Sequence, residues 1–235
     1  MVENFNRIIW FGDSWTEGVR PDITVFAKTV SKNLSLGYVN KGKRGSNYQD
    51  IENSFVSFYR HINKNDLVIF CLTSMYRQIL YDKNNTIHCG SWVHQAHKPS
   101  DVEKIWNTEI ANDYYCSYLA SKTLNLLYYM CLVKNITCFF VNAFSPIVNL
   151  PINLVPEKNW LLSCDKSLAD DFFEIREPEP LIGDAGRITK DVWLKHKEKI
   201  DIYLIPNDNH PNQLGNDKIA EKLTDIIQCK LNGTR

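Results

Sequence analysis

The sequence predicts an α/β protein in which a parallel β-sheet is covered by helices on both faces. Apolar runs of strand length alternate along the chain with segments whose apolar residues recur every three or four positions. The run Asp66–Leu72 is almost wholly apolar, as expected for a strand buried on both sides. A chain of 235 residues is long enough for one domain with a full core. We therefore expect a single domain spanning residues 1–235.

In the first half of the chain, a short apolar run beginning at Arg7 predicts the first strand. The segment Asp22–Leu34 has helical spacing of its apolar residues and begins beside a proline. A short strand at Tyr38–Asn40, a helix at about Tyr48–His61 and the buried strand described above follow.

In the second half, a long helix is predicted at Tyr114–Lys134 and a strand at Thr137–Asn142. The chain ends with an apolar run at Ile202–Ile205, a polar turn, and a helix at about Leu214–Leu231. With the three strands before them, these runs give a sheet of about five parallel strands. Each polar cluster of interest follows a strand, so the clusters can meet at one edge of the sheet.

Two stretches lack a regular pattern and are expected to be irregular excursions from the domain. Residues 81–113 are rich in polar residues, histidines and tryptophans, and a loop that long within a compact domain is usually functional. Residues 145–199 are interrupted by five prolines and predict an irregular or mobile segment with short helices.

Composition excludes several kinds of partner. Lysine plus arginine number 27, as do aspartate plus glutamate, so no field of one sign attracts nucleic acid or an anionic membrane. The most apolar long stretch, Leu119–Val133, contains polar residues and is too short to span a bilayer. The seven cysteines include no C-x-x-C pair and indicate reduced thiols. Without a recognisable signal segment at the start, we expect a cytoplasmic protein.

The first strand ends in Gly12-Asp13-Ser14, which predicts a serine delivered to the carboxyl edge of the sheet. A serine hydroxyl needs a base within hydrogen-bond reach and a third group that orients the base. His210 and Asp208, on the turn before the last helix, fit these roles. The backbone N–H groups of Ser14 and Gly45 are suitably placed to stabilise an oxyanion. Together they predict a nucleophilic serine site.

These motifs resemble those of the SGNH (GDSL-type) hydrolases. The first block of that family is Gly12-Asp13-Ser14, its second block appears as Asn40-Lys41-Gly42-Lys43-Arg44-Gly45, and its last block has a near match at Asp208-Asn209-His210-Pro211. The resemblance implies a flavodoxin-like three-layer α/β/α sandwich. It also implies hydrolysis of a small-molecule or glycan O-acyl ester, O-acetyl carbohydrates included, with no cofactor and no metal.

The sequence departs from the family pattern in two places. The third block, Gly-x-Asn-Asp, is replaced by Cys71-Leu72-Thr73-Ser74, so Thr73 stands where the family has its oxyanion asparagine. The Thr73 hydroxyl can donate one hydrogen bond in its place. The orienting acid, Asp208, lies two residues before His210, whereas the family usually has three.

Four residues are candidates for substrate contact: Trp15 and Asn47 beside the first two motifs, and Trp92 and His94 in the first excursion. The spacing of His94 and His97 also suits a metal site, but no second close pair of ligands accompanies it. Aromatic packing of the loop is an equally good explanation for its tryptophans.

Two alternative functions follow from the same residues. Asp13 after a strand is similar to the aspartyl nucleophile of haloacid-dehalogenase-type phosphatases, although that pattern wants a second acid where Trp15 stands. The altered third block is also compatible with a non-catalytic glycan-binding or assembly module on the same fold. Labelling of Ser14 by a fluorophosphonate separates an active esterase from such a module.

Overall fold

A computed structural model gives the architecture of the chain. The structure describes residues 5–75, 77–81, 86–89, 113–143, 147, 152–171, 182–183, 187–188, 202–205 and 208–233. For residues 78–81, 86–89, 113, 171, 182–183, 187–188 and 208–209 it describes the backbone alone.

Ten strands and five α-helices are present in these ranges. The strands are β1 (Arg7–Phe11), β2 (Gly37–Asn40), β3 (Asp66–Leu72), β4 (Gln78–Tyr81), β5 (Thr86–Cys89), β6 (Thr137–Asn142), β7 (Ile182–Gly183), β8 (Arg187–Ile188), β9 (Leu204–Ile205) and β10 (Asp208–Pro211). The helices are α1 (Ser14–Glu17), α2 (Phe26–Asn33), α3 (Tyr48–Phe58), α4 (Asp113–Val133) and α5 (Gln213–Leu231). Short 3₁₀ turns lie at Tyr59–His61, Glu157–Asn159 and Ala169–Asp171.

The main sheet has four parallel strands in the order β2-β1-β3-β6, which confirms the predicted α/β class. Side chains on each strand alternate between two apolar clusters, as the strand period of two requires. Helices α2 and α5 cover one face, and α3 and α4 cover the other. The carboxyl ends of β1, β2 and β3 are therefore neighbours at one edge.

The expected fifth parallel strand is not formed by residues 202–205. Leu204–Ile205 pairs antiparallel with Asp208–Pro211 and forms a small sheet of its own. On the open side of β6, two isolated parallel bridges occupy the fifth position, Phe140 with Trp160 and Asn142 with Ser167. A turn between the two bridging residues interrupts the pairing, so no continuous strand forms there.

Two other predicted segments differ in detail. Helix α2 starts at Phe26 rather than Asp22, and the backbone N–H groups of Thr24 and Phe26 donate to side chains of α5. The first excursion includes an antiparallel hairpin, because β4 pairs with β5. The second excursion contains the expected short helical turns and the pair β7–β8.

The structure describes the side chains of six of the seven cysteines; all six are free thiols, and four of them are buried. Within the described ranges, no helix is both long and apolar enough to cross a membrane.

The core on the α3 side is built around Phe70 of β3. Its ring centroid lies 5.0 Å from that of Phe140, 5.1 Å from that of Phe55 and 5.6 Å from that of Phe11. All four rings are fully buried. Because rings from three strands and one helix meet at this side chain, it holds together the part of the sheet that carries the motifs.

Truncation of this ring is expected to destabilise the domain strongly. We predict that Phe70→Ala lowers the free energy of unfolding by about 3–5 kcal/mol, since a buried aromatic ring is replaced by a cavity. Leu132→Ala is the control, because Leu132 lies on α4 and is 52% exposed. Chemical denaturation measures both variants, and a similar small loss in the two would contradict the central role of Phe70.

Candidate active site

Ser14 is held by a tight turn at the carboxyl end of β1. It is the first residue of the one-turn helix α1, and Asp13 caps that helix by accepting a hydrogen bond from the Trp15 N–H, with 3.0 Å between the two atoms. A Cβ atom on Gly12 would collide with the Thr16 side chain and lie 2.8 Å from the Cys71 carbonyl oxygen. The motif glycine is thus required by the close approach of α1 and β3.

His210 lies in hydrogen-bond contact with the serine. Its Nε2 atom is 2.8 Å from the Ser14 Oγ, although 196 positions separate the two residues. In the tautomer with the proton on Nδ1, the serine hydroxyl donates to Nε2, which is the geometry of a nucleophile and its base. Ser14 is 7% exposed and His210 is half-buried. The sequence-predicted pair is therefore brought together.

The turn that carries His210 is held by two asparagines. Asn212 caps α5 by accepting from the Gly215 N–H at 3.0 Å, and its own N–H donates to the Tyr203 carbonyl. The buried Asn216 side chain accepts from the Phe26 N–H at 2.9 Å and donates to the Pro211 carbonyl at 3.1 Å. The residue after the histidine is thereby tied to the start of α2.

The loop of the second motif packs directly on α1. A Cβ on Gly42 would lie 2.7 Å from the Glu17 nitrogen, and the Arg44 N–H donates to the Glu17 carboxylate at 2.6 Å. Gly45 has a φ of 73°, in the left-handed region that favours glycine. Within the described part of the chain, neither the Ser14 nor the Gly45 N–H donates to an acceptor.

The side chains of Asp13, Thr73 and Arg77 form a buried cluster beneath the serine turn. The Arg77 Nη1 donates to Thr73 Oγ1 at 2.8 Å and to Asp13 Oδ2 at 3.2 Å. Asp13 and Thr73 are fully buried, and Arg77 is nearly so. Thr73 Oγ1 and Asp13 Oδ2 thus accept from the same guanidinium nitrogen.

Burial raises the pKa of the Asp13 carboxyl, and the Arg77 charge, the Trp15 N–H, the Thr73 hydroxyl and the nearby His210 act to lower it. The same carboxylate raises the pKa of the Tyr48 hydroxyl and the Cys71 thiol, in both cases after the larger effect of burial. Asp13 is therefore the charge around which the site is organised. Because Oδ1 accepts from the Trp15 N–H and Oδ2 accepts from Arg77, both carboxylate oxygens are engaged in structural bonds, which does not suit the nucleophile of a phosphatase.

The other candidates fall in different places. Trp15 is buried beside Ser14, and the buried Asn47 caps α3 through a reciprocal capping box with Asp50. The backbone of Asp208 belongs to β10, but its side chain lies outside the described residues. Trp92 and His94 also lie outside them.

Sequence reasoning missed Arg77 and Asn216. Arg77 carries no motif signal, and its partner Asp13 is 64 positions away. Asn216 lies four residues after Asn212, and its side chain meets the Phe26 N–H only because α2 packs on α5. The only signal for Asn216 in the sequence is a polar residue early in the predicted last helix.

A small cavity adjoins the serine and histidine. Its wall is largely apolar and comes mainly from the segment between α1 and α2 and from the turn before α5: Trp15, Val19, Ile23, Val25 and Pro211. It leaves space for about one water-sized group.

Loss of Asn216 should weaken the attachment of the histidine turn. We predict that Asn216→Ala lowers the free energy of unfolding by about 2 kcal/mol, because the buried Phe26 N–H and Pro211 carbonyl lose their partner. Asn33→Ala is the matched control, since the exposed Asn33 joins the same two helices by a longer bond of 3.4 Å to Thr224. Equal losses in the two variants, measured by denaturant unfolding, would argue against this role.

Comparison with solved structures finds several to which this chain is similar over nearly its whole length. An alpha/beta hydrolase enzyme from the metagenome of Lake Arreo, Spain, is 13% identical, with 98% of this chain and 99% of that chain covered and a TM-score of 0.50. A member of the lipolytic protein G-D-S-L family from Veillonella parvula is 14% identical, with 94% and 98% covered and a TM-score of 0.46. A mutant of an acetyl-xylooligosaccharide esterase from Geobacillus is 13% identical, with 97% and 96% covered and a TM-score of 0.45.

No protein-family model matches the chain, and no curated protein does. The structural matches include proteins of the G-D-S-L type, the group that the sequence motifs resemble. At these identities the likeness establishes the fold alone. The chain has the fold of the Lake Arreo hydrolase, built on the parallel α/β sandwich that the sequence predicts.

Proposed function

We propose that the protein is a serine ester hydrolase in which Ser14 is the nucleophile and His210 its general base. The observation that carries this proposal is the 2.8 Å contact between Ser14 Oγ and His210 Nε2. Two residues from opposite ends of the chain meet at the sheet edge where α/β proteins bind ligands. The contact has the geometry required for proton transfer from an attacking hydroxyl.

The reaction proceeds in two halves. The Ser14 oxygen bonds to the carbonyl carbon of the ester while its proton moves to His210. The bond to the alcohol then breaks, the alcohol leaves with the proton from His210, and the acyl group stays on Ser14. A water molecule next attacks the acyl-enzyme with His210 again as base, which releases the carboxylic acid and restores the serine.

Oxyanion stabilisation is assigned to the Ser14 and Gly45 N–H groups and to Thr73. The two backbone donors belong to loops that follow adjacent strands and pack against each other through Gly42 and α1. We assign Asp208 as the group that orients the imidazole. Its backbone lies two residues before the histidine in the same strand, β10.

The substrate class follows from the cavity beside the serine. An apolar space for about one water-sized group fits the methyl of an acetyl group and excludes longer chains. We therefore propose a short-chain O-acyl ester as substrate, with an O-acetyl carbohydrate as the favoured case. The sugar would face the open edge of the sheet, away from the apolar wall.

The catalytic pair is tested by single substitutions. We expect Ser14→Ala and His210→Ala each to lower kcat on an aryl acetate by about a thousandfold or more, because each removes one half of the nucleophile and base pair. Activity is followed by release of p-nitrophenol, and a fluorophosphonate probe should label wild type at Ser14.

Ser57→Ala and His61→Ala are the matched controls, since both residues are exposed and belong to the region at the end of α3. Both variants should hydrolyse the ester at the wild-type rate. Full activity in folded Ser14→Ala would refute the nucleophile. Folded wild type that is neither active nor labelled, yet binds acylated glycans tightly, would instead support a binding module.

The size of the cavity predicts a preference for short acyl groups. Wild type should hydrolyse the acetate of p-nitrophenol better than the butyrate, and Val25→Ala should raise the butyrate-to-acetate ratio of kcat/KM about tenfold, the effect of a small change in pocket volume. Val30→Ala is the control, because Val30 lies on α2, which Val25 directly precedes, but does not line the cavity. An unchanged ratio in Val25→Ala would exclude this wall from the acyl site.

A further inference from the structure

Two arginine–aspartate pairs join the segments of β1 and β3 at opposite ends of these neighbouring strands. At the amino end, Arg7 Nε lies 2.9 Å from Asp66 Oδ1. At the carboxyl end, Arg77 Nη1 lies 3.2 Å from Asp13 Oδ2, next to the serine. In each pair the carboxylate is buried. The pairs differ in their further partners: Arg77 also donates to the Thr73 hydroxyl oxygen, whereas Arg7 also donates to the His61 backbone carbonyl.

Arg77 Nη1 bridges the two other side chains of the cluster, since it donates both to Thr73 Oγ1 and to Asp13 Oδ2. A hydroxyl whose oxygen accepts from a guanidinium keeps its own proton for another acceptor. To stabilise an oxyanion, the Thr73 proton must point towards the substrate. The buried Asp13 carboxylate needs a cation and donors close by, and it has them in Arg77 and the Trp15 N–H.

We propose that Arg77 is a positioning residue of the ester hydrolysis, which holds Asp13 and Thr73 so that the Thr73 proton can serve the oxyanion. This inference rests on the proposed esterase function. The guanidinium pairs with the Asp13 carboxylate without needing a bond from the Thr73 hydroxyl, and its bond to Thr73 Oγ1 holds that side chain in place. Donation to a hydroxyl oxygen also strengthens that hydroxyl as a donor.

An arginine suits this task better than a lysine. A guanidinium stays charged when buried and offers N–H groups in a fixed planar arrangement, whereas an ammonium is strongly hydrated and its pKa falls on burial. This chain therefore has a threonine paired with an arginine where the family that its motifs resemble has a single asparagine. The arginine acts through Thr73 and Asp13, not by contact with substrate.

The test compares the two ion pairs. Arg77→Met should lower kcat on the aryl acetate about 100-fold with KM changed less than about twofold, because an oxyanion donor acts mainly in the transition state. Arg77→Lys should recover part of that loss. Arg7→Met and Arg7→Lys are the matched controls, and both should lower the thermal midpoint while kcat stays at the wild-type value.

A combined variant tests the link through Thr73. Thr73→Val keeps the side-chain volume but removes the hydroxyl, and we expect Arg77→Lys to lower kcat no further in that background. Because this comparison uses Arg77→Lys, it still tests the inference if Arg77→Met does not fold. Independent, multiplying losses from Thr73→Val and Arg77→Lys would overturn the link.

Wild-type kcat in folded Arg77→Met or Arg77→Lys would overturn the inference while leaving the esterase proposal intact. So would an equal fall in kcat in the Arg7 variants, since the effect would then be structural. A wild type without Ser14-dependent hydrolysis would refute the proposed function, and this inference with it.

Discussion

The buried charge of Asp13 is the constraint on which the candidate site depends. A carboxylate fully removed from water needs donors close by, and here they come from the Trp15 N–H within the turn and from Arg77 after β3. The serine turn and the end of the neighbouring strand are therefore fixed relative to each other. Since Asp13 immediately precedes Ser14, its pairing determines where the hydroxyl points.

The fold and the contact between Ser14 and His210 could be predicted from the sequence because both have local signals. Strand β3 is an apolar run, and Ser14 and His210 belong to short motifs that follow predicted strands. The fifth position of the sheet could not be predicted, because single residues such as Trp160 and Ser167 form it by isolated bridges without a strand pattern. Pairings over long sequence separations, such as Asp13 with Arg77, leave no periodic trace either.

Proximity in sequence proved a weak guide to what a residue does. Asn47 follows the second motif closely, yet its side-chain oxygen accepts from the Asp50 N–H as a helix cap. Arg77 lies outside the altered third block, yet it donates hydrogen bonds to both other members of the buried cluster, Asp13 and Thr73. A changed motif residue is therefore best interpreted together with the charged groups that pack against it. Thr73 is a shorter donor than asparagine, but a threonine hydroxyl paired with an arginine differs chemically from a threonine hydroxyl alone.

Ser14 and His210 are held in different ways. Ser14 is fixed mainly by its own turn and by contacts to adjacent strands, which form whenever the sheet forms. His210 depends on the C-terminal helix, whose Asn216 and Gln213 side chains cap N–H groups at the start of α2. Because these caps are tertiary contacts between the ends of the chain, the base is aligned only when the last helix has docked. Loosening of that helix would separate base from nucleophile while leaving the serine turn intact.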